Sequence, residues 1–241
     1  MHSFALRSFV ASAATLLPLF LGCASKPTAG GPGSYRGVLV GAGEIGTLAV
    51  TVAGSATSSL PASGGLVDLN GSTASLSGTL NQGNASCSLS STAGYQFDGD
   101  SRPEYVLGGY HGPLGGGEFA LLEQPDSGGS VKTFCGAYVS SSSTTATPIP
   151  FAIAGVPDGA AVCVGPNFAW LGTMDSAEDV SCSVGTALFY GNANADAGNQ
   201  WGTGTSDGDN GTWAVTSCGP DAGGGSDGGT RGAADAAVDQ L

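Results

Sequence analysis

The chain has 241 residues, 43 of them glycine, with 10% charged side chains and a formal net charge of −13. Its lysines and arginines number 6 in all, too few for the clustered basic footprint that neutralises phosphates, so nucleic-acid binding is excluded as a class. Glycine costs about 0.8–1 kcal/mol per helical position relative to alanine. No stretch beyond residue 23 sustains a 3.6-residue apolar period, and together these predict an all-β protein with chain enough for a real core.

The amino-terminal segment starts with Arg7 as a positive group and continues as an apolar run from Phe9 to Leu21, shorter than the ~20 residues of a spanning helix. It closes on Leu19-Phe20-Leu21-Gly22-Cys23. This string resembles the lipobox of bacterial lipoprotein signal peptides. The resemblance implies cleavage before Cys23, a diacylglycerol on its thiol and a further acyl chain such as palmitate on the new amino terminus. Each buried CH₂ contributes roughly 0.8 kcal/mol, so three chains hold far more firmly than one. In that family an Asp after the cysteine favours inner-membrane retention. Here the position is Ala24, which implies the outer membrane and leaves the leaflet open. Residues 1–22 are read as the signal peptide and 23–33 as a lipidated, flexible Pro/Gly tether.

Two related segments follow, 34–125 and 131–218. Tyr35-Arg36-Gly37 answers to Phe134-Cys135-Gly136, Val52-Ala53-Gly54 to Ile153-Ala154-Gly155, and Ser86-Cys87-Ser88-Leu89 to Ser181-Cys182-Ser183-Val184. Phe97-Asp98-Gly99 answers to Phe189-Tyr190-Gly191, and Gly117-Glu118-Phe119-Ala120-Leu121 to Gly211-Thr212-Trp213-Ala214-Val215. The order is kept throughout, the mark of an internal duplication. Inside each segment apolar residues alternate, as at Leu48, Val50, Val52 and Leu76, Gly78, Leu80, with Gly, Ser, Asn and Asp punctuation every 8–12 residues or so. Two antiparallel units of about eight short strands each are expected, as barrels or sandwiches, with Tyr and Trp on exposed strands available for recognition by stacking. From Gly219 to Leu241 the chain is acidic and nearly without large apolar residues, and is expected to be disordered.

With Cys23 lipidated, five cysteines remain: Cys87, Cys135, Cys163, Cys182 and Cys218. Cys135 and Cys218 lie near the two ends of the second unit, and both are missing from the matching ends of the first, so they are paired here as a bridge between first and last strands. Cys163 with Cys182 is the second pair, leaving Cys87 free; an exported compartment permits both.

Several short motifs invite stronger readings. Val38 to Gly46 reads as a strand followed by G-x-G-x-x-G, with Asp68 further on, the outline of a dinucleotide fingerprint. The required helix is missing, because Thr47 to Val52 are β-branched or apolar on alternate positions, and a β-hairpin turning within Gly41–Gly46 is expected instead. Gly204-Thr205-Ser206-Asp207-Gly208 matches a nucleophile elbow. The histidine left after leader removal is His111, upstream of that serine and out of the order hydrolases use, so a turn is the reading and no catalytic residue is assigned. Asn192, Asn194 and Asp196, and Asp207 with Asp209, alternate oxygen-bearing side chains and are the candidate calcium ligands; no other cofactor is expected. Glu104, Glu118 and Glu123 offer carboxylate pairs of the kind glycoside hydrolysis uses.

The sequence from Val67-Asp68-Leu69-Asn70-Gly71 through Tyr95-Gln96-Phe97-Asp98-Gly99 to Gly108-Gly109-Tyr110-His111-Gly112-Pro113, then Gly116-Gly117-Glu118-Phe119, resembles the β-barrel domain of transferrin-binding protein B and related surface lipoproteins. That family carries GGxxGP followed by GGxF on neighbouring strands. The resemblance covers residues 67–120, implies a barrel, and does not extend to transferrin binding. The function expected is therefore a non-enzymatic binding, adhesive or envelope-structural module, anchored to the outer membrane through lipid and meeting a protein or glycan partner. The alternatives are an envelope glycan hydrolase built on a carboxylate pair and a barrel that holds a small ligand inside.

Overall fold

The computed structural model describes residues 29–55, 58–126, 129–141, 147–194, 199–202 and 210–219. The expected signal peptide, Cys23, most of the expected tether, the tail beyond Gly219 and the Gly204–Gly208 motif lie outside the described residues. The first eight strands are β1 (Gly33–Gly41), β2 (Glu44–Val52), β3 (Ser59–Asp68), β4 (Thr73–Asn81), β5 (Ser86–Ser90), β6 (Gln96–Ser101), β7 (Tyr105–Gly112) and β8 (Gly115–Glu123). Each pairs antiparallel with the next, and β8 returns to β1 with Leu121 opposite Gly37, closing a barrel. The second eight are β9 (Lys132–Ser140), β10 (Ile149–Gly155), β11 (Gly159–Gly165), β12 (Phe168–Met174), β13 (Asp179–Val184), β14 (Ala187–Asn192), β15 (Gln200–Gly202) and β16 (Asn210–Ser217). They close in the same way, β16 on β9 with Val215 opposite Gly136. The turn between β1 and β2 is the hairpin expected of Gly41–Gly46.

Strand alternation decides what fills each barrel. On β4 the odd residues Thr73, Ser75, Ser77 and Thr79 are exposed, while Ala74, Leu76 and Leu80 are buried. β5 repeats the scheme, with Ser88 and Ser90 out and Cys87 and Leu89 in. The inward set packs with Tyr35, Leu39, Phe97 and Phe119 into one core. A barrel apolar inside and lined outside by serine and threonine is the inverse of a lipid-facing one.

Alternation fails where the two barrels meet. Every residue from Gly37 to Gly41 is buried on β1, and from Ala161 to Gly165 on β11. Here the outward residues are apolar too: Val38, Val40, Ala120 and Leu122 of the first barrel join Ala152, Ala154, Val162 and Val164 of the second in a third core between them. Strands buried on both faces read as continuous apolar runs rather than alternating ones.

The five repeat matches fall on equivalent strands, β1 with β9, β2 with β10, β5 with β13, β6 with β14 and β8 with β16. Strand pairing moves one of them. Gly78 faces Leu89, which faces Phe97; Gly172 faces Cys182, which faces Phe189. Cys182 thus takes the place of Leu89 rather than that of Cys87. A slip of two residues keeps every side chain on the same face, so composition alone does not resolve it. Gly37 and Gly136 occupy matching crossings, where a Cβ would collide with the carbonyl oxygens of Ala120 and Ala214.

The cysteines pair as the sequence suggests. Cys135 on β9 bonds Cys218 just past β16, with Cα atoms 4.9 Å apart, and seals the seam of the second barrel. Cys163 on β11 bonds Cys182 on β13, Cα atoms 6.0 Å apart, inside the barrel and across β12, where Gly172 is the residue opposite Cys182. Cys87 is free and buried.

Candidate functional site

Among the described residues, large apolar side chains fill the interior of each barrel. Phe97, Phe119, Leu39, Leu60, Leu80 and Leu89 fill the first and are almost fully buried. Phe151 and Phe189 stack at 4.7 Å in the second, flanked by Tyr138, Phe168, Trp170 and Trp213. This corrects the expectation of exposed aromatic strands. Tyr35, Tyr95, Tyr110 and Trp213 are buried, and Tyr190 is the one Tyr or Trp among the exposed large hydrophobics of the described residues. A barrel of eight strands has an interior just wide enough for side chains, and the largest rings go there because they bury the most apolar surface.

The ends are closed by polar contacts. At the end where β1 begins, Ala29 packs on the core, the Gly30 amide donates to Ser101 Oγ at 3.1 Å, and Tyr35 donates to the Gly31 carbonyl at 2.9 Å. Burial, with Glu123 adding to it, pushes the Tyr35 phenol up to about 12. At the opposite end Glu44 is buried and accepts from the Tyr95 hydroxyl and, at 3.4 Å, from that of Tyr110. Burial and the Glu44 carboxylate hold both phenols well above their ordinary range. Glu44 was not singled out from the sequence, although its even position with Leu48, Val50 and Val52 points it inward.

In the second barrel the lower end, where β9 begins as β1 does in the first, is held by buried Glu178, which pairs with Lys132 and accepts from the Asn194 amide. Two of the candidate calcium ligands are engaged here. The Asn192 amide donates to Ala177 O and Asp179 Oδ1 at 2.8 Å each, its oxygen accepts from the Asn194 backbone, and Asn194 binds Glu178. Asp196, Asp207 and Asp209 lie outside the described residues. No group of three His, Cys, Asp or Glu suited to a metal ion occurs among the described residues.

Two concavities lie on the outer surface. One, of about 710 Å³, runs over β1 to β4 and is lined by Arg36, Thr51, Thr73, Ser75 and Gln124 without a carboxylate. The other, of about 380 Å³, sits between the barrels: Asp98, Gly109, His111, Gly116, Gly117 and Glu118 line one side, and the turn Pro166-Asn167 after β11 the other. It is the candidate site, because it gathers two carboxylates and the His111 imidazole in one cleft. Pairing sets Asp98 opposite Gly109 and Gly109 opposite Glu118, so the two carboxylates flank a bare glycine across three strands. Two strand spacings of about 4.8 Å separate their backbones. Burial raises the Glu118 carboxyl above its ordinary value. The other glutamates named from the sequence are elsewhere: Glu123 is raised by burial, then by Asp126 and Glu104, and its amide binds the Glu104 carbonyl at 2.9 Å near the lower end. Asp98 could have been found from the sequence only by pairing the strands, since 20 residues separate it from Glu118.

Compared with known proteins, the chain matches no family model, no curated protein and no solved structure.

Proposed function

We propose that this protein is a lipid-anchored outer-membrane lipoprotein whose tandem barrels form a non-enzymatic binding module, with Cys23 as the acylated residue and a protein or glycan as partner. The observation that supports it most is the plug at the lower end of the first barrel. Ala29 to Gly31 are pinned there by Ser101 and Tyr35, so a lipid on Cys23, six residues ahead of Ala29, lies within about 20 Å of that end. The membrane then sits below the plug, and the turns at the Glu44 end, together with the cleft beside them, point away from it. With large side chains packed in both interiors, a partner meets the outer faces.

A glycan hydrolase would draw on Asp98 and Glu118, which stand on either side of Gly109 on one wall of the cleft. The cleft offers no exposed aromatic ring for a sugar to stack on, since Tyr110 is 2% exposed, and binding remains the better reading. The anchor is tested by labelling cells with a palmitate analogue. Label should disappear, and the protein move to the soluble fraction, in Cys23→Ser; label retained in that variant sinks the anchor. Protease on intact cells reads the leaflet. Release of sugars from envelope glycan by the wild type, lost in Glu118→Gln, would replace the binding reading with the enzymatic one.

A further inference from the structure

We propose that the outer face of β12 to β14, centred on Tyr190, binds an uncharged glycan that carries N-acetyl groups. This rests on the binding reading and chooses the glycan among its partners. The face lies away from the first barrel, which meets the second chiefly through β10 and β11. Leu171, Leu188 and Tyr190 point outward there, since Trp170 and Phe189, their neighbours along the strands, belong to the interior core. Leu171 is 37% and Tyr190 43% exposed, and Leu188 is half-buried.

The first barrel shows what the fold itself requires at these positions. Ser77 precedes Gly78 on β4 as Leu171 precedes Gly172 on β12, and Gln96 and Asp98 flank Phe97 as Leu188 and Tyr190 flank Phe189. The strand between keeps its serines in both barrels: Ser90 opposite Gln96 and Ser88 opposite Asp98 in the first, Ser183 opposite Leu188 and Ser181 opposite Tyr190 in the second. Around those serines, an exposed serine, glutamine and aspartate of the first barrel give way to two leucines and a tyrosine in the second. Both barrels close in the same strand order, so closure does not call for the change. Outward side chains add nothing to the inner core, and a contiguous exposed apolar patch marks an interaction site or an aggregation hazard.

The chemistry of the face selects its occupant. Leu171, Thr173, Ser181, Ser183, Leu188 and Tyr190 include no charged group, in a chain whose net charge is −13, so an ionic ligand finds no counter-charge among them. Asp179, the next outward residue on β13, accepts from the Asn192 amide at 2.8 Å. Even with Val184 at the adjoining hairpin tip, these apolar side chains fall far short of the ~800 Å² per partner that a stable protein interface buries. That area argues against a second copy or a folded protein held by this face. A sugar suits it. The C–H face of the ring lies on Tyr190, whose side chain joins an apolar body to a polar tip, the hydroxyl and amide groups reach Ser181 and Ser183, and the methyl of the N-acetyl group packs on Leu188 and Leu171. A few placed polar groups among apolar ones is the usual make-up of a small-ligand site.

Titration calorimetry of the purified full chain with N-acetylchitotetraose tests the site, with cellotetraose, which lacks the acetamido groups, as the second arm. Saturable binding of the acetylated sugar is expected, at least tenfold tighter than that of cellotetraose. It should weaken at least tenfold in Tyr190→Ala and be retained in Tyr190→Phe, which keeps the ring. The triple variant Leu171→Ser, Leu188→Gln, Tyr190→Asp gives the second barrel the residues that the first already carries, and should abolish binding without lowering the melting point. No binding of N-acetylchitotetraose, equal binding of the two sugars, or binding that survives in the triple variant overturns the proposal. A dimer in analytical ultracentrifugation that the triple variant dissolves would assign the face to a second copy and overturn it as well. None of these results touches the Cys23 anchor or a partner bound elsewhere on the barrels, which acyl labelling and protease on intact cells read separately.

Discussion

Removing the seam bridge with Cys135→Ala and Cys218→Ala tests whether the two barrels behave as one body. The bond closes a loop with a sequence separation of 83 residues. Loop-closure entropy for that length corresponds to about 4.5 kcal/mol, against about 3 kcal/mol for a separation near that of Cys163 and Cys182. For a protein of this size, 1 kcal/mol moves the melting point by roughly 2–4 °C, so a fall of about 10–15 °C is expected. The sequence supplies a separate reporter for each barrel. All 3 tryptophans, Trp170, Trp201 and Trp213, belong to the second, while the free thiol of the body, Cys87, is buried in the first. In a Cys23→Ser background, urea unfolding followed by tryptophan fluorescence reads one, and labelling of Cys87 reads the other. The shared core of Val38, Val40, Ala152, Ala154, Val162 and Val164 predicts that both transitions move together. A tryptophan transition displaced by less than about 1 kcal/mol would refute the entropic argument, and Cys87 labelling that keeps its original profile would refute the shared core.

Other expectations are more local. Alkaline unfolding should set in above pH ~10: Tyr35 keeps its proton up to about 12 in the fold, so the unfolded chain deprotonates first, and stability present below ~10 is lost as pH rises through the folded value. Tyr35→Phe should flatten that loss in pH-dependent melting; an unchanged slope counts against it. Tyr95→Phe leaves an oxygen of buried Glu44 without its donor and should cost about 1–3 kcal/mol in chemical denaturation. Glu118→Gln should raise the melting point at neutral pH, because burial penalises the charged carboxylate, with the gain vanishing in acid where the wild type is protonated; a gain that persists at low pH points to another cause. Gly136→Ala drives a methyl into the Ala214 carbonyl and should cost about 1–3 kcal/mol, unlike Gly109→Ala, which should be neutral or stabilising by the same melting assay.

Much of the architecture was legible because period-two patterning is local. Leu76 and Leu80 against Ser75 and Ser77 give strand and face at once, and the duplication supplied the seam bridge by noticing what the first unit lacks. Closure into barrels was not legible, since it depends on β8 meeting β1 and β16 meeting β9, pairings far apart in sequence. The contact between barrels left a trace that was read otherwise: Val38-Leu39-Val40 drew attention as the strand of a nucleotide fold, whereas its continuous apolar character comes from having a core on each side. The cleft was only half visible. Glu118 was among the carboxylates named, but its companion Asp98 and the vacancy at Gly109 emerge only when three strands are laid side by side. The aromatic residues were misplaced because sequence gives their parity and not the lack of any other filler inside a narrow barrel.

The apolar strip formed by Val38, Val40, Ala120 and Leu122 also governs what becomes of an incomplete molecule. A chain cut off or clipped after β8 would still close its first barrel, since β1 to β8 need no strand from the second. It would then display that strip to water as a self-complementary patch. Such a fragment should pair with itself or foul its neighbours, which gives the cell a reason to degrade half-made copies and a selective pressure against separating the two similar halves into two genes.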